Sequence, residues 1–330
     1  MTTLDAPASR TAPVPSQSTP TDEARGISPR RRGLVEQVLV YLVVALPVLG
    51  VFAAGFVAWD RGGLSWVDVA LFAAFYVFSG LGITVGYHRY FTHRAFRANR
   101  PLKLVLGVAG AYAMQGPVIR WVADHRRHHA YSDGEGDPHS PWRFGRTPAA
   151  LVKGFWWAHT GWLFDREQTS SRHWAPDLLQ DPDLRRLNKA FPLLALGSLG
   201  LPALLGWVLT GFSGSGALSA FIWAGLVRMF LIHHVTWSIN SICHVTGSKP
   251  FSSRDESRNV WWLALPSFGE SWHNLHHADP SSARHGVQKG EVDLSALVIR
   301  GAEKLGWASE VRWPTEARMA KIRARNDASA

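Results

Sequence analysis

The sequence predicts an all-α integral membrane protein with four transmembrane helices paired as two hairpins. Three observations carry that prediction. Only 18% of the 330 residues are charged while 46% are hydrophobic, with 16 Trp and 16 Phe among them. The apolar residues gather in four blocks, roughly 34–58, 65–86, 191–210 and 217–238, each near the ~20 residues that cross a hydrocarbon core. The links within each pair, DRGGLS and GFSGSG, hold one basic residue, Arg61, whereas 87–190 holds 16 Lys and Arg, the chain from 239 onward 12 and the N-terminal tail 5. The positive-inside rule then puts both termini and both large polar segments in the cytoplasm. The net charge of +10 follows from that arrangement, because the cations flank apolar spans; this argues against a nucleic-acid footprint.

Residues 1–33, rich in Ser, Thr, Pro and Ala and ending in RRRG, read as a disordered cytosolic tail. The apolar run behind this tail is too long for a cleaved signal peptide. A membrane domain covers 34–300, and 301–330 forms a charged C-terminal tail. A fifth apolar stretch, LKLVLGVAGAYAMQGPVI at 102–119, contains Gly107, Gly110, Gly116, Pro117 and Gln115, which suits a re-entrant or protein-buried helix better than a lipid-facing span. Arg228, in the middle of the fourth span, requires an internal partner. The single cysteine, Cys243, excludes a disulfide framework and a cysteine-ligated cluster. Any metal must be held by nitrogen or oxygen. No Rossmann or P-loop fingerprint is present, so the chain shows no nucleotide site of its own.

Fifteen histidines are present, and most fall into four groups, each just beyond an apolar stretch. HRYFTH holds His88 and His93; DHRRHHAYSD holds His125, His128 and His129; NSICH holds Asn240 and His244; WHNLHH holds His273, His276 and His277. In His-x-x-His-His on a helix, the first residue lies about 60° from the second and about 40° from the third, so all three share one face. Asn240 and His244, four apart, also share a face. His88 and His93 are five apart, roughly 140° around an ideal helix, so they are expected to straddle a helix end or to serve two different ions. Nine histidines and Asn240 exceed what one ion can use, which points to two ions with about five ligands each and an open position. Imidazole suits Zn, Cu, Fe and Ni alike, so spacing leaves the metal open. Asp124, Asp137 and Glu270 are candidates to hold ring N–H groups from outside the ligand set. His139 and His159 read as structural or supporting residues, and His173 and His285 as ordinary packed or surface histidines. His233 and His234 lie inside the fourth span and match no half-site.

In combination these motifs resemble the membrane-bound fatty acyl-CoA desaturases of the delta-9 (stearoyl-CoA desaturase) type. The likeness runs from about residue 65 to 286 through GLGITVGYHRYFTHRAF, WVADHRRHHAYSDGEGDPHSPW, GFWWAHTGW, VTWSINSICHVTG and GESWHNLHH. It implies four spans under a cytosolic helical cap that holds a di-iron centre. The implied metal ligands are His88, His93, His125, His128, His129, His244, His273, His276 and His277, with Asn240 acting through a water. It implies O₂ as co-substrate, two electrons from a separate NAD(P)H-dependent reductase or ferredoxin, and a cis double bond placed in a long-chain acyl group carried on coenzyme A or acyl-carrier protein. It also implies a substrate tunnel bent beside Gln115, Trp121, Thr236 and Trp237 and closed by Tyr76 and Gly80. If buried there, the Tyr76 hydroxyl needs a partner that the sequence does not name. Ala123 stands where animal acyl-CoA enzymes carry Arg, so coenzyme A, acyl-carrier protein and an intact lipid all stay open as carriers. A related di-iron lipid or alkane hydroxylase is the rival enzyme reading, and a His-rich metal transporter the rival of another class.

Overall fold

The computed structural model describes residues 25–60 and 63–329. Most of residues 1–33, and Arg61 in the first link, therefore lie outside the described residues. The described part of that tail departs from the solvated reading. Ile27 is buried and bridges Thr169, and Arg32 N–H donates to the Arg166 carbonyl at 2.9 Å.

Among the described residues, four helices are long and apolar enough to cross a membrane. The first is α1 (Leu34–Asp60), whose Phe52, Phe56 and Trp59 face outward. The second begins as α2 (Trp66–Leu81) behind a Ser65/Asp68 capping box and continues as a π-helical segment, Gly82–Thr92. After β1 (Arg97–Ala98) come α3 (Arg100–Tyr112), α4 (Val118–Tyr131), α5 (Pro148–His159) and two short helices, α6 (Ser171–Trp174) and α7 (Pro176–Gln180). The third span, α8 (Pro182–Leu209), starts earlier than hydropathy predicts, because Asp181 caps it by accepting from the Asp183 and Leu184 amides. The fourth comprises α9 (Gly214–Ala220), a π-helical stretch Phe221–Val227, and α10 (Arg228–Ser241), ending in a 3₁₀ turn at Ile242–His244. Beyond it lie α11 (His273–Ala278), α12 (Leu294–Lys304), β2 (Ala308–Ser309), antiparallel to β1, and α13 (Glu316–Ser329).

Small residues set the packing. The fifth apolar stretch becomes α3 and the turn after it, and α3 presses against the π-helical segment. A Cβ added at Gly82 would sit 2.1 Å from the Ala109 carbonyl carbon, and one at Gly110 would sit 2.2 Å from the Tyr87 ring. α8 packs against α9, with Gly206 against Ala220, and α1 lies chiefly along the π-helical stretch that follows, with Gly50 against Leu226. Arg228 is fully buried and donates to the Ala224, Tyr112 and Ser198 carbonyls and to the Ser198 hydroxyl at 2.7–3.1 Å. The internal partners are thus carbonyls and a hydroxyl, among them the Tyr112 carbonyl at the C-terminal end of α3, a helix terminus that the guanidinium complements. The charged C-terminal tail is helical and docked: Met319 and Ile322 of α13 pack on Phe251 and on Leu275 of α11.

Candidate metal centre and acyl cavity

The fold brings all nine cluster histidines together in two adjoining groups. One contains His88, His93, His125, His129 and His276; the other contains His128, His244, His273 and His277, and within each group the ring nitrogens lie within 4.8 Å of one another. The expectation that His88 and His93 diverge is overturned. The backbone between them is π-helical, and the His93 N–H donates to the His88 carbonyl at 3.2 Å, so five residues close one turn. Their rings therefore meet at 4.9 Å between centroids. Each His-x-x-His-His motif also divides instead of forming a half-site. In α4, His125 and His129 go to the first group and His128 to the second; in α11, His273 and His277 go to the second and His276 to the first. The physical reason is angular: positions i and i+4 nearly superpose, while i+3 lies on the other side of them.

The donor set fits metal ions. Nε2 atoms pair at 3.0 Å (His88 and His276), 3.1 Å (His125 and His129), 2.9 Å (His129 and His276), 3.1 Å (His244 and His273) and 3.0 Å (His273 and His277). Nitrogens about 2.1 Å from one ion and at right angles are about 3.0 Å apart. The outer nitrogens reinforce this. The Nδ1 of His128 faces Asp137 at 3.0 Å, that of His244 faces Asp133 at 2.8 Å, that of His277 faces Asp255 at 2.6 Å, and that of His88 faces Glu270. With Nδ1–H engaged by a carboxylate, Nε2 presents a lone pair. Lone pairs converging on one point repel unless a cation lies between them. Burial pushes His125, His129, His273 and His276 well below the usual imidazole range and His277 down to about 4, so these rings are neutral near pH 7. Burial also favours the neutral acid at Glu270, but His88 and Arg89 outweigh it and hold the carboxyl below its usual value.

Both groups open onto one apolar cavity of about 410 Å³, whose wall includes His88, His125, His273 and Asn240. Gln115, Trp121, Thr236 and Trp237 line it as well. Gln115 donates to Thr236 Oγ1 at 2.9 Å, and the Trp121 indole N–H donates to Gln115 Oε1 at 3.4 Å. These residues join α4 to the fourth span beside the histidines.

The family model for fatty acid desaturases matches residues 64–290. The chain belongs to the fatty acid desaturase family. It is thus an acyl desaturase, an oxidoreductase. It is 40% identical to a hex-5-enoyl-[acyl-carrier protein] acetylenase from Moorena producens, over 84% of this chain and 86% of that protein. It is 36% identical to an sn-1 stearoyl-lipid 9-desaturase from Anabaena variabilis (80% and 91%) and 34% identical to an acyl-CoA C20 Delta5-desaturase from Anemone leveillei (87% and 85%). The three names carry three different acyl carriers.

Several residues of this desaturase stand elsewhere than the sequence reading placed them. Tyr76 and Gly80 are not in the cavity wall; the Phe268 ring lies against Gly80, and Tyr76 packs against that ring at a tilt of 31° and donates to the Pro266 carbonyl at 2.7 Å. Asp124 lines the cavity and faces Arg120 at 3.8 Å instead of a cluster histidine. His285, read from the sequence as packed or on the surface, is packed: it is fully buried, with Nδ1 3.3 Å from Arg89 Nη2 and its ring 4.6 Å from that of His276. Sequence reasoning missed Asp133, Asp255 and Arg89. Asp133 lies in the DGEGD turn four residues before Asp137, a spacing that offered a signal. Arg89 is wholly buried and binds Glu270 at 2.9 Å and Asp293 at 3.0 Å; nothing in the sequence marks it beyond its place beside His88.

Proposed function

We propose that the two histidine groups hold two iron ions, with Asn240 beside the second group, and that the protein places a cis double bond, of delta-9 type, in a long-chain saturated acyl thioester of coenzyme A or acyl-carrier protein. The observation that carries this reading is an apolar cavity whose wall contains histidines of both groups. Iron bound there supplies the means to remove two hydrogens from an unactivated acyl chain, with O₂, two electrons and two protons consumed and two waters released. The electrons come from a separate NAD(P)H-dependent reductase or ferredoxin.

The chain's own residues perform the remaining tasks. An acyl chain has no polar handle near its middle, so wall shape selects the reacting carbons. The Gln115–Thr236–Trp121 network fixes the wall beside the histidines. Asp133, Asp137, Asp255 and Glu270 keep four rings in one tautomer, so their Nε2 atoms face inward before any ion arrives. The basic segments around the four apolar helices support a multi-pass arrangement with both termini and the centre in the cytoplasm. Gas chromatography of lipids from a desaturase-deficient host expressing the chain tests the reading. New monoenoic acids are expected. Their absence, or hydroxy acids in their place, refutes it, and retained activity in His125→Ala or His273→Ala refutes the assignment of the metal ligands.

A further inference from the structure

We propose that Phe268, on the loop between the fourth span and α11, is the blind end of the acyl cavity and sets the longest chain the enzyme accepts. This inference rests on the desaturase reading above and assigns its specificity to a residue outside the spans.

The cavity wall includes Ile83, Thr84, Pro266, Ser267 and Phe268, whereas Tyr76 and Gly80 are not part of it. Gly80 lies just behind Phe268, and a Cβ added there would sit 2.3 Å from ring atom Cε2 of Phe268. The space vacated by the missing side chain of Gly80 is therefore filled by the phenyl ring and is closed to substrate. Tyr76 stands behind the same ring, 5.7 Å away between centroids. Phe268 itself is 5% exposed.

The loop is pinned to hold that ring in place. Phe268 adopts φ +55°, in the left-handed region that a residue with a bulky side chain enters only when its surroundings enforce it. Its carbonyl accepts from the Ser295 amide at 3.0 Å, the Gly269 amide donates to the Ala264 carbonyl at 2.8 Å, and Tyr76 holds the Pro266 carbonyl. Tyr76 lies ten residues into the Trp66–Thr92 span, about 15 Å along it, so the loop reaches well into the depth of the apolar helices. Irregular backbone survives at that depth only where protein partners satisfy it, and these bonds do so. Trp261, Trp262 and Leu265 are 76%, 52% and 68% exposed, an apolar outer face suited to lipid.

Removing the phenyl ring joins the cavity to the space in front of Tyr76, which admits further methylenes, and each methylene accommodated shifts selectivity by about tenfold or more. The test uses the full chain in membranes of a desaturase-deficient host supplied with saturated acids of graded length, with monoenes measured by gas chromatography. Phe268→Ala is expected to raise the ratio of products from longer chains to those from shorter ones by at least about tenfold, and Phe268→Trp to lower it. An active Phe268→Ala enzyme with the wild-type chain-length profile overturns the proposal. If that variant does not accumulate, Phe268→Leu provides the same readout with a smaller shift, and an unchanged profile there overturns it equally. A wild-type enzyme that makes no monoene at all refutes the desaturase reading instead, so the two failures are distinguishable.

Discussion

Asp255→Asn offers a sharp test of the two-group centre. The Asp255 carboxylate accepts from His277 Nδ1 and from the Ser257 hydroxyl, both at 2.6 Å. Burial favours its neutral form, but the contact with His277 dominates and holds the acid well below its usual range. The amide removes the charge and offers its neighbour a donor as readily as an acceptor, so His277 loses its enforced tautomer. Loss of such an outer partner costs about 10–100-fold in metal affinity, or about 1.4–2.7 kcal/mol. His277 belongs to the second group alone, so one ion of the pair should weaken. Iron retained per chain, measured after dialysis against graded chelator, should fall in two steps in the variant, with one step moved by that factor. Ser257→Ala, which keeps the contact with the histidine, should leave both steps in place. Loss of both ions together, or no change in either, would refute the assignment of His277 to a separate ion.

Other expectations concern packing and pH. Gly80→Ala should destabilise by about 1–3 kcal/mol through overpacking against Phe268, and Phe268→Ala should relieve it; additive losses in a thermal-unfolding double-mutant cycle would contradict the contact. Gly82→Ala meets backbone instead of a movable side chain, so it should abolish accumulation of folded protein, and normal yield and normal melting would count against the close approach of α3. Metal-free protein should lose stability on acidification. His125, His129, His273, His276 and His277 have depressed pKa values, so the unfolded chain binds protons first at these positions as pH falls below about 6.5, and the loss at His277 continues down to about 4. A melting temperature constant from pH 7.5 to 5 would be inconsistent with that burial.

The four long apolar helices and the nine clustered histidines were legible in the sequence because hydropathy and motif spacing are local properties. What escaped depended on departures from ideal geometry or on distant neighbours. An ideal helix separates His88 from His93, and only the π-helical turn reunites them. Asp255 lies 22 residues from its histidine and Arg89 lies 181 from Glu270, distances over which no pattern in the chain carries a signal. Tyr76 and Gly80 read naturally as a tunnel end on one helix face, yet a loop almost two hundred residues later fills the place in front of them.

The division of each His-x-x-His-His motif between the two groups has a mechanical consequence. Adjacent residues on one helix turn, His128 and His129 on α4 and His276 and His277 on α11, reach into different groups, so the interval between the groups is measured out by covalently joined neighbours. Two helices gripping both groups act as calipers: a tilt or shift of either carries both groups together and leaves their separation unchanged. The interval between the two groups is thereby fixed within α4 and α11 themselves, independently of how the longer apolar helices pack.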